Sequence, residues 1–182
     1  MKGKRIVLGV TGGIAAYKAA ILASRLVQKG ATVRVAMTQW ATQFVGPLTF
    51  EGLTGTKVVL APTQVDEDGS VPHIDAAKGA DAYVVAPCSA DMLSKLATGA
   101  ADDPVSLLAL TMKCPVLVCP AMNDAMWTNA AVQHNVSVVT SRGIRMVGPV
   151  VGHLAEGYDA IGRMVEPEAV VAALESLFGG TR

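Results

Sequence analysis

Apolar, β-branched runs alternate with helix-period segments along this chain, which predicts an α/β fold: a parallel sheet with helices on both faces. Two further observations agree. The runs are followed by turns rich in Gly, Pro, Ser and Asp, and three of these turns fall on the carboxyl edge of the expected sheet, where such folds present ligands. The length, 182 residues, suits one core, so residues 1–182 are expected to form a single domain.

The elements follow in order. Residues 6–10 form the first strand. Over residues 14–29, Ala16, Ala19, Ala23, Leu26 and Val27 recur at helical spacing, and Gly30 supplies the stop. Thr32–Met37 is the second strand. Residues 39–53 predict two short helices divided by Gly46-Pro47, residues 58–60 a short strand, and residues 61–72 a polar loop. Residues 73–80 are helical, residues 82–86 form a central strand, and Ala90–Thr98 is a helix ended by Gly99. Asp103-Pro104 opens another helix, with Asp at the N-cap and Pro at the first helical position. After a buried strand at residues 116–119, the pattern predicts a helix at 129–134 and short strands at 136–140 and 144–147. The Gly-rich stretch 150–163 has weak periodicity and is expected to be a flap over a site. Glu166-Pro167-Glu168 starts the final helix, which runs to Phe178. Internal repeats and low-complexity segments are absent from the sequence.

Composition narrows the function. Half of the residues are hydrophobic (51%) and only 16% are charged, so part of the apolar surface is expected to be covered in a homo-oligomer. Formal net charge is zero and the basic residues are scattered, which argues against a nucleic-acid partner. No stretch approaches the ~20 apolar residues of a membrane span, and the apolar run at 6–10 is too short for a signal peptide. A cytoplasmic protein is expected. The three cysteines lack metal-ligand spacing and fit reduced thiols.

The segment Pro120-Ala121-Met122-Asn123-Asp124-Ala125-Met126-Trp127 carries the strongest chemical signal. It follows a buried strand, so an amide and two large soft side chains stand at the sheet's carboxyl edge. A site that holds a carboxylate while that carboxylate is being lost needs donors without a fixed charge, which Asn123 offers. Gly9-Val10-Thr11-Gly12-Gly13-Ile14 links the first strand to the first helix, where backbone N–H groups and the helix end make an anion site. It departs from the G-x-G-x-x-G spacing, and the second strand ends in Met37-Thr38-Gln39, without the acidic residue that holds a ribose diol. A hydroxyl there suits a phosphate monoester. The same glycines also satisfy a plain tight turn. After the third strand, Pro87-Cys88-Ser89-Ala90-Asp91 places a hydroxyl at a helix start, and Ser89 and Asp91 equally suit helix capping.

Together these turns and the Pro120 to Trp127 segment resemble the homo-oligomeric flavin-containing cysteine decarboxylases, which include phosphopantothenoylcysteine decarboxylase of coenzyme A synthesis and the peptidyl-cysteine decarboxylases of lanthipeptide and thioamide-peptide pathways. The resemblance covers nearly the whole chain. Its most specific part is Pro-x-Met-Asn-x-x-Met-Trp, matched in full here and not carried by the related flavin prenyltransferases. Gly12-Gly13-Ile14-Ala15-Ala16-Tyr17-Lys18, His73-Ile74, and Gly162-Arg163-Met164 before Glu166-Pro167 support it.

The resemblance implies a Rossmann-like (flavodoxin-like) sheet and FMN held between subunits of a trimer, or of a dodecamer built of trimers. It places the cofactor at Gly12, Gly13, Ile14, Thr38, Ser89 and Ala90. It makes His73 and Asn123 the catalytic pair, with Asn123, Met126 and Glu156 on the substrate, and it leaves Trp127 as a packing residue. The implied chemistry is oxidation of a cysteine side chain at Cβ to a thioaldehyde by FMN, after which the C=S group is the electron sink for decarboxylation to an enethiolate. His73 would assist thiol deprotonation or hydride transfer, and Asn123 would grip the carboxylate.

Two departures stand out. Pro87-Cys88-Ser89-Ala90-Asp91-Met92 replaces the family's Pro-Ala-Ser-Ala-Asn-Thr, and an ionised Asp91 cannot donate hydrogen bonds as the usual Asn does. Leu154-Ala155-Glu156-Gly157 replaces the Leu-Ala-Cys-Gly of many coenzyme A enzymes, whose cysteine is implicated in reducing the enethiol. Either Glu156 is tuned to give a proton, or the reaction stops at the enethiol, as in the peptidyl-cysteine enzymes. On that residue a peptide C-terminus is the expected substrate, with phosphopantothenoylcysteine the alternative. A non-catalytic flavoprotein that works through partners and a flavin prenyltransferase are the remaining readings.

Overall fold

In a computed structural model, which describes residues 1–63, 65 and 69–179, five parallel strands form the central sheet. They are β1 (Arg5–Val10), β2 (Thr32–Met37), β3 (Ala82–Cys88), β4 (Val116–Pro120) and β5 (Arg145–Met146), in the spatial order β2-β1-β3-β4-β5. This is the flavodoxin-like order, in which the chain reverses direction across the sheet between β1 and β3 and leaves a crevice beyond their carboxyl ends. All seven residues of β3 are buried, because both faces of the sheet are covered.

The first face packs on α1 (Ala16–Gln28), α2 (Pro47–Thr54) and α8 (Pro167–Gly179). In α1 the buried Ala16, Ala19, Leu22, Ala23 and Leu26 repeat at three and four residues, so one stripe meets the sheet, and the alanines let the helix approach closely. Full burial of Leu22 or Leu26 contributes about 1.5–3 kcal/mol each. The helix ends at Gly30, whose φ of 83° puts it in the left-handed region. The other face packs on α3 (Pro72–Ala77), α4 (Ala90–Thr98), α5 (Pro104–Thr111) and α7 (Ala130–Ser141). Asp103 caps α5 as expected, accepting from the backbone N–H groups of Val105 and Ser106.

A short 3-10 turn at Ala41–Gln43 precedes α2, so Gly46-Pro47 does divide two helical pieces. The strand expected at 58–60 reduces to one parallel bridge, Val59 to Ala36. Within the polar loop expected at 61–72, residues 64 and 66–68 lie outside the described residues.

One element differs in kind. The expected strand at 136–140 is the second half of α7, which Asn129 caps by accepting from the N–H of Ala131. Val132 and Val139, seven residues apart, are its buried residues, so the β-branched run belongs to a helical stripe and not to a strand. The stretch at 150–163 is also more ordered than its periodicity suggests. It folds into an antiparallel hairpin of β6 (Val150–His153) and β7 (Asp159–Arg163). Among the described residues no helix is long and apolar enough to cross a membrane.

Candidate functional site

The turns after β1, β3 and β4 meet at the carboxyl edge of the sheet and are tied to each other there. Thr11, 1% exposed, donates its hydroxyl to the Pro87 carbonyl at 2.8 Å and accepts from the N–H of Ser89 at 3.1 Å. Its side chain therefore fixes the end of β1 against the end of β3. The N–H of Ala121, following β4, bonds to the Cys88 carbonyl at 3.1 Å. Ser89 caps α4 by accepting from the N–H of Met92, so its capping role is real, and it also faces the crevice. The amino ends of α1 and α4 open on the same space, which favours an anion there.

Two adjoining cavities occupy the crevice, of about 580 and 340 Å³. Both lie in the ~300–1,000 Å³ range of small-molecule sites. Gly12, Ser89, Ala90 and Met126 line both of them. Thr38 lines the larger, and Gly13, Ile14, Asn123 and Glu156 line the smaller. A side chain at Gly12 would strike Trp40, since an added Cβ would lie 2.5 Å from that residue's Cβ, so close approach of backbone to this space needs glycine.

His73 stands apart. It lies on α3, half-buried, its Nδ1 has no hydrogen-bond partner among the described residues, and it lines neither cavity.

Asn123 is the N-cap of a short helix, α6 (Asp124–Trp127), and its Oδ1 accepts from the N–H of Ala125 at 2.8 Å. That bond turns Nδ2 toward the hairpin. There it donates to Glu156 Oε1 at 3.0 Å and to the Tyr158 hydroxyl at 3.1 Å. Tyr158 in turn donates to Asp124 Oδ1 at 2.6 Å, a bond that holds its pKa above the ordinary tyrosine value, with Asn123's donation opposing it. Sequence reasoning passed over Tyr158, although one of only three tyrosines set among the glycines of 150–163 was a usable signal. Trp127 is partly buried against the core behind α6.

Lys18 was also overlooked as an individual residue. Only 2% exposed, it reaches from α1 to the Met164 carbonyl at 2.8 Å and to Glu166 Oε1 at 2.9 Å. Arg163 reaches the same carboxylate oxygen at 2.7 Å. The base of the hairpin is thereby pinned to α1, and Gly162 is held against Met122, whose N–H bonds to the Gly162 carbonyl.

Lys95 lies beside the larger cavity, bridged to Asp102 and Asp103 at 2.9 and 2.8 Å and to Asp91 at 3.5 Å. Asp91 thus neighbours the cavity as a partner of Lys95. Burial pushes the Cys119 thiol up to about 12 and Cys88 well above its usual range, so neither is a thiolate at neutral pH and neither suits redox or nucleophilic work.

Comparison with known proteins fits this arrangement. The coenzyme A biosynthesis bifunctional protein CoaBC of Vibrio vulnificus is 41% identical over 178 residues, which cover 98% of this chain and 44% of that protein. The chain therefore spans less than half the length of the curated relatives it matches. Among solved structures, a PPC decarboxylase mutant complexed with pantothenoylaminoethenethiol superposes with a TM-score of 0.85 at 26% identity, covering 99% of this chain and 100% of the other. The FMN-dependent cysteine decarboxylase SpaF superposes with a TM-score of 0.81 at 28% identity, covering 94% of each chain. Since the Flavoprotein family profile also matches residues 1–179, the chain belongs to the Flavoprotein family.

Proposed function

We propose that this chain is an FMN-dependent decarboxylase of a cysteine carboxylate, and that its substrate is phosphopantothenoylcysteine. The observation that carries the reading is the lining shared by Asn123, Met126 and the turns after β1 and β3. It sets a neutral amide clamp beside a crevice suited to a flavin phosphate. The likeness to CoaBC over almost the whole chain supports the coenzyme A substrate over the peptide expected from Glu156. One altered residue weighs less than that extended similarity.

Gly12, Gly13, Ile14, Thr38, Ser89 and Ala90 would hold FMN, with the α1 and α4 amino ends toward its phosphate. When bound, FMN supplies the oxidant for the substrate's Cβ–S unit. Asn123 orients the carboxylate with its Nδ2 donors and leaves it free to depart, because no cation fixes the anion. The neighbouring cations Lys18 and Arg163 are turned toward Glu166, and the His153 ring lies 3.2 Å from Asp159. Met126 forms an apolar wall. The hairpin is the flap that keeps water from the reacting carbon.

His73 acts from a neighbouring copy. Its Nδ1, without a partner among the described residues, and its position outside both cavities support that assignment. So does the apolar surface formed by Ile14, Tyr17, Ile21, Trp40, Phe44 and Leu48, all more than 40% exposed in one chain and suited to burial between subunits of a trimer.

The test is mass analysis of products from the FMN-loaded protein given phosphopantothenoylcysteine or Cys-ending peptides. Loss of carbon dioxide from the former, abolished by Asn123→Ala and His73→Ala in folded protein, is expected. A product two hydrogens lighter than the simple decarboxylated thiol means that the enethiol is not reduced. Turnover of the peptides alone would move the assignment to the peptidyl-cysteine class, the reading favoured by Glu156 in place of cysteine. Full activity in the Asn123 variant would overturn the mechanism.

A further inference from the structure

Asn123 in this structure is already holding a carboxylate, and that carboxylate belongs to the chain itself. Its two amide hydrogens go to Glu156 Oε1 and the Tyr158 hydroxyl, and its Oδ1 is committed to the N–H of Ala125. An amide has two N–H donors and no more. A substrate carboxylate can reach this side chain only by replacing one of the present partners, and Glu156 is the one of matching chemistry. The two cationic residues lining this cavity, Lys18 and Arg163, are both turned toward Glu166, and the His153 ring toward Asp159, so Asn123 is the grip held by the flap carboxylate.

We infer that Glu156 is an internal carboxylate that occupies the Asn123 clamp and is exchanged for the carboxylate of the incoming substrate. The inference rests on the reading of Asn123 as the substrate's carboxylate grip. Its consequence is a site that distinguishes substrate from product. A ligand with a carboxylate displaces the Glu156 side chain alone, and the hairpin stays over the site through the Leu154 N–H to Tyr158 carbonyl bond. A ligand that has lost its carboxylate leaves the clamp to Glu156, whose return favours product release. Tyr158 remains through the exchange, because its own hydroxyl hydrogen is anchored on Asp124.

A matched pair of unreactive ligands separates the alternatives: pantothenoylserine, which keeps the carboxylate but lacks the thiol, and pantothenoylethanolamine, which lacks both. Calorimetric titration of the FMN-loaded protein is expected to show Glu156→Ala binding pantothenoylserine about three- to tenfold more tightly than wild type, since removing a competing state raises the competent fraction. Binding of pantothenoylethanolamine stays unchanged. Glu156→Gln, which keeps the shape and an acceptor but not the charge, falls between. Weaker or unchanged binding of pantothenoylserine by Glu156→Ala would overturn the inference, and so would equal tightening of both ligands, which is what a merely steric flap would give. Hydrogen exchange of the Leu154 and Gly157 amides in the ligand-free variants provides an arm independent of substrate identity. Exchange about five- to tenfold faster in Glu156→Ala is expected from loss of one exposed hydrogen bond, and unchanged exchange would overturn the inference. Should neither ligand bind wild type while that exchange result holds, the substrate reading fails and the Glu156 contact stands.

Discussion

The turns at the sheet edge and the hairpin across from them are held by different kinds of contact. At the edge, the buried Thr11 hydroxyl joins β1 to β3, bonded to the buried Pro87 carbonyl and the half-buried Ser89 N–H. On the hairpin, Asn123, Glu156, Tyr158 and Asp124 form an exposed chain of hydrogen bonds that water can replace. Buried bonds are expensive to leave unmade, whereas exposed ones exchange at little cost. A cofactor that stays bound suits the first region, and a substrate that must enter and leave suits the second. Only the base of the hairpin shares the rigidity of the edge, through Lys18 and through the contact of Gly162 with Met122.

The sharpest way to break the comparison is at that base. Gly162 has a φ of 132°, and a Cβ there would collide with the Met122 carbonyl oxygen, next to Asn123. Gly162→Ala should shift Asn123 and the hairpin together while leaving the turns after β1 and β3 untouched. A displacement near 1 Å lowers rate by about 100-fold. Carbon dioxide release measured beside the visible flavin spectrum checks this. Bound flavin with lost activity is expected, and loss of both would mean that the two regions are not separate.

Thr11→Val attacks the other side. The replacement has nearly the same shape, so packing is kept, while the half-buried Ser89 N–H loses its acceptor and the buried Pro87 carbonyl is left with only the Thr11 backbone N–H at 3.4 Å. One unsatisfied N–H and one weakened acceptor cost about 1–2 kcal/mol together. Denaturant unfolding should record that loss, and FMN affinity should fall with it. Hydrogen exchange in the hairpin should not change, and a loosened hairpin would contradict the division drawn here.

The same division explains what was legible in the sequence. Residues 6–10, 82–86 and 116–119 announce strands because a parallel sheet covered on both faces demands continuous apolar runs, and Asp103-Pro104 announces a helix start because its chemistry is local. The run Val136-Ser137-Val138-Val139 misleads because four residues cannot separate the two periods; only the Asn129 cap and the positive-φ Gly143 define the helix around it. The hairpin was obscured by Gly152, Gly157 and Gly162, which break the alternation that marks a strand. Meeting of Asn123 with Glu156 and Tyr158 depends on a register thirty-odd residues away, which no local pattern encodes. Lys18 was visible only as part of a motif, since a lysine within an apolar stripe gives no sign of the carboxylate that accepts it.

That lysine leads to the smallest effect and the one that depends on pH. Glu166 is held below its ordinary pKa of 4.5, first by the hydrogen bond from Lys18 and then by its charge and that of Arg163. A carboxyl group whose pKa is lowered by folding contributes stability in full above its unfolded value, and that contribution fades as pH falls through the lowered one. The Glu166 side chain is more than half exposed, so screening limits the contribution to about 1 kcal/mol. Glu166→Gln should therefore be less stable than wild type by about that amount at pH 7, with Lys18 still donating to the Met164 carbonyl. The gap should begin to narrow as pH falls past 4.5 and close only below the lowered folded value, where folded wild type also loses its carboxylate. Thermal unfolding of both proteins between pH 3 and pH 7, read against hairpin exchange, checks the sign. A gap that persists in acid would show that Glu166 works through shape and not charge, and would place the hairpin base with the exposed contacts instead of the buried ones.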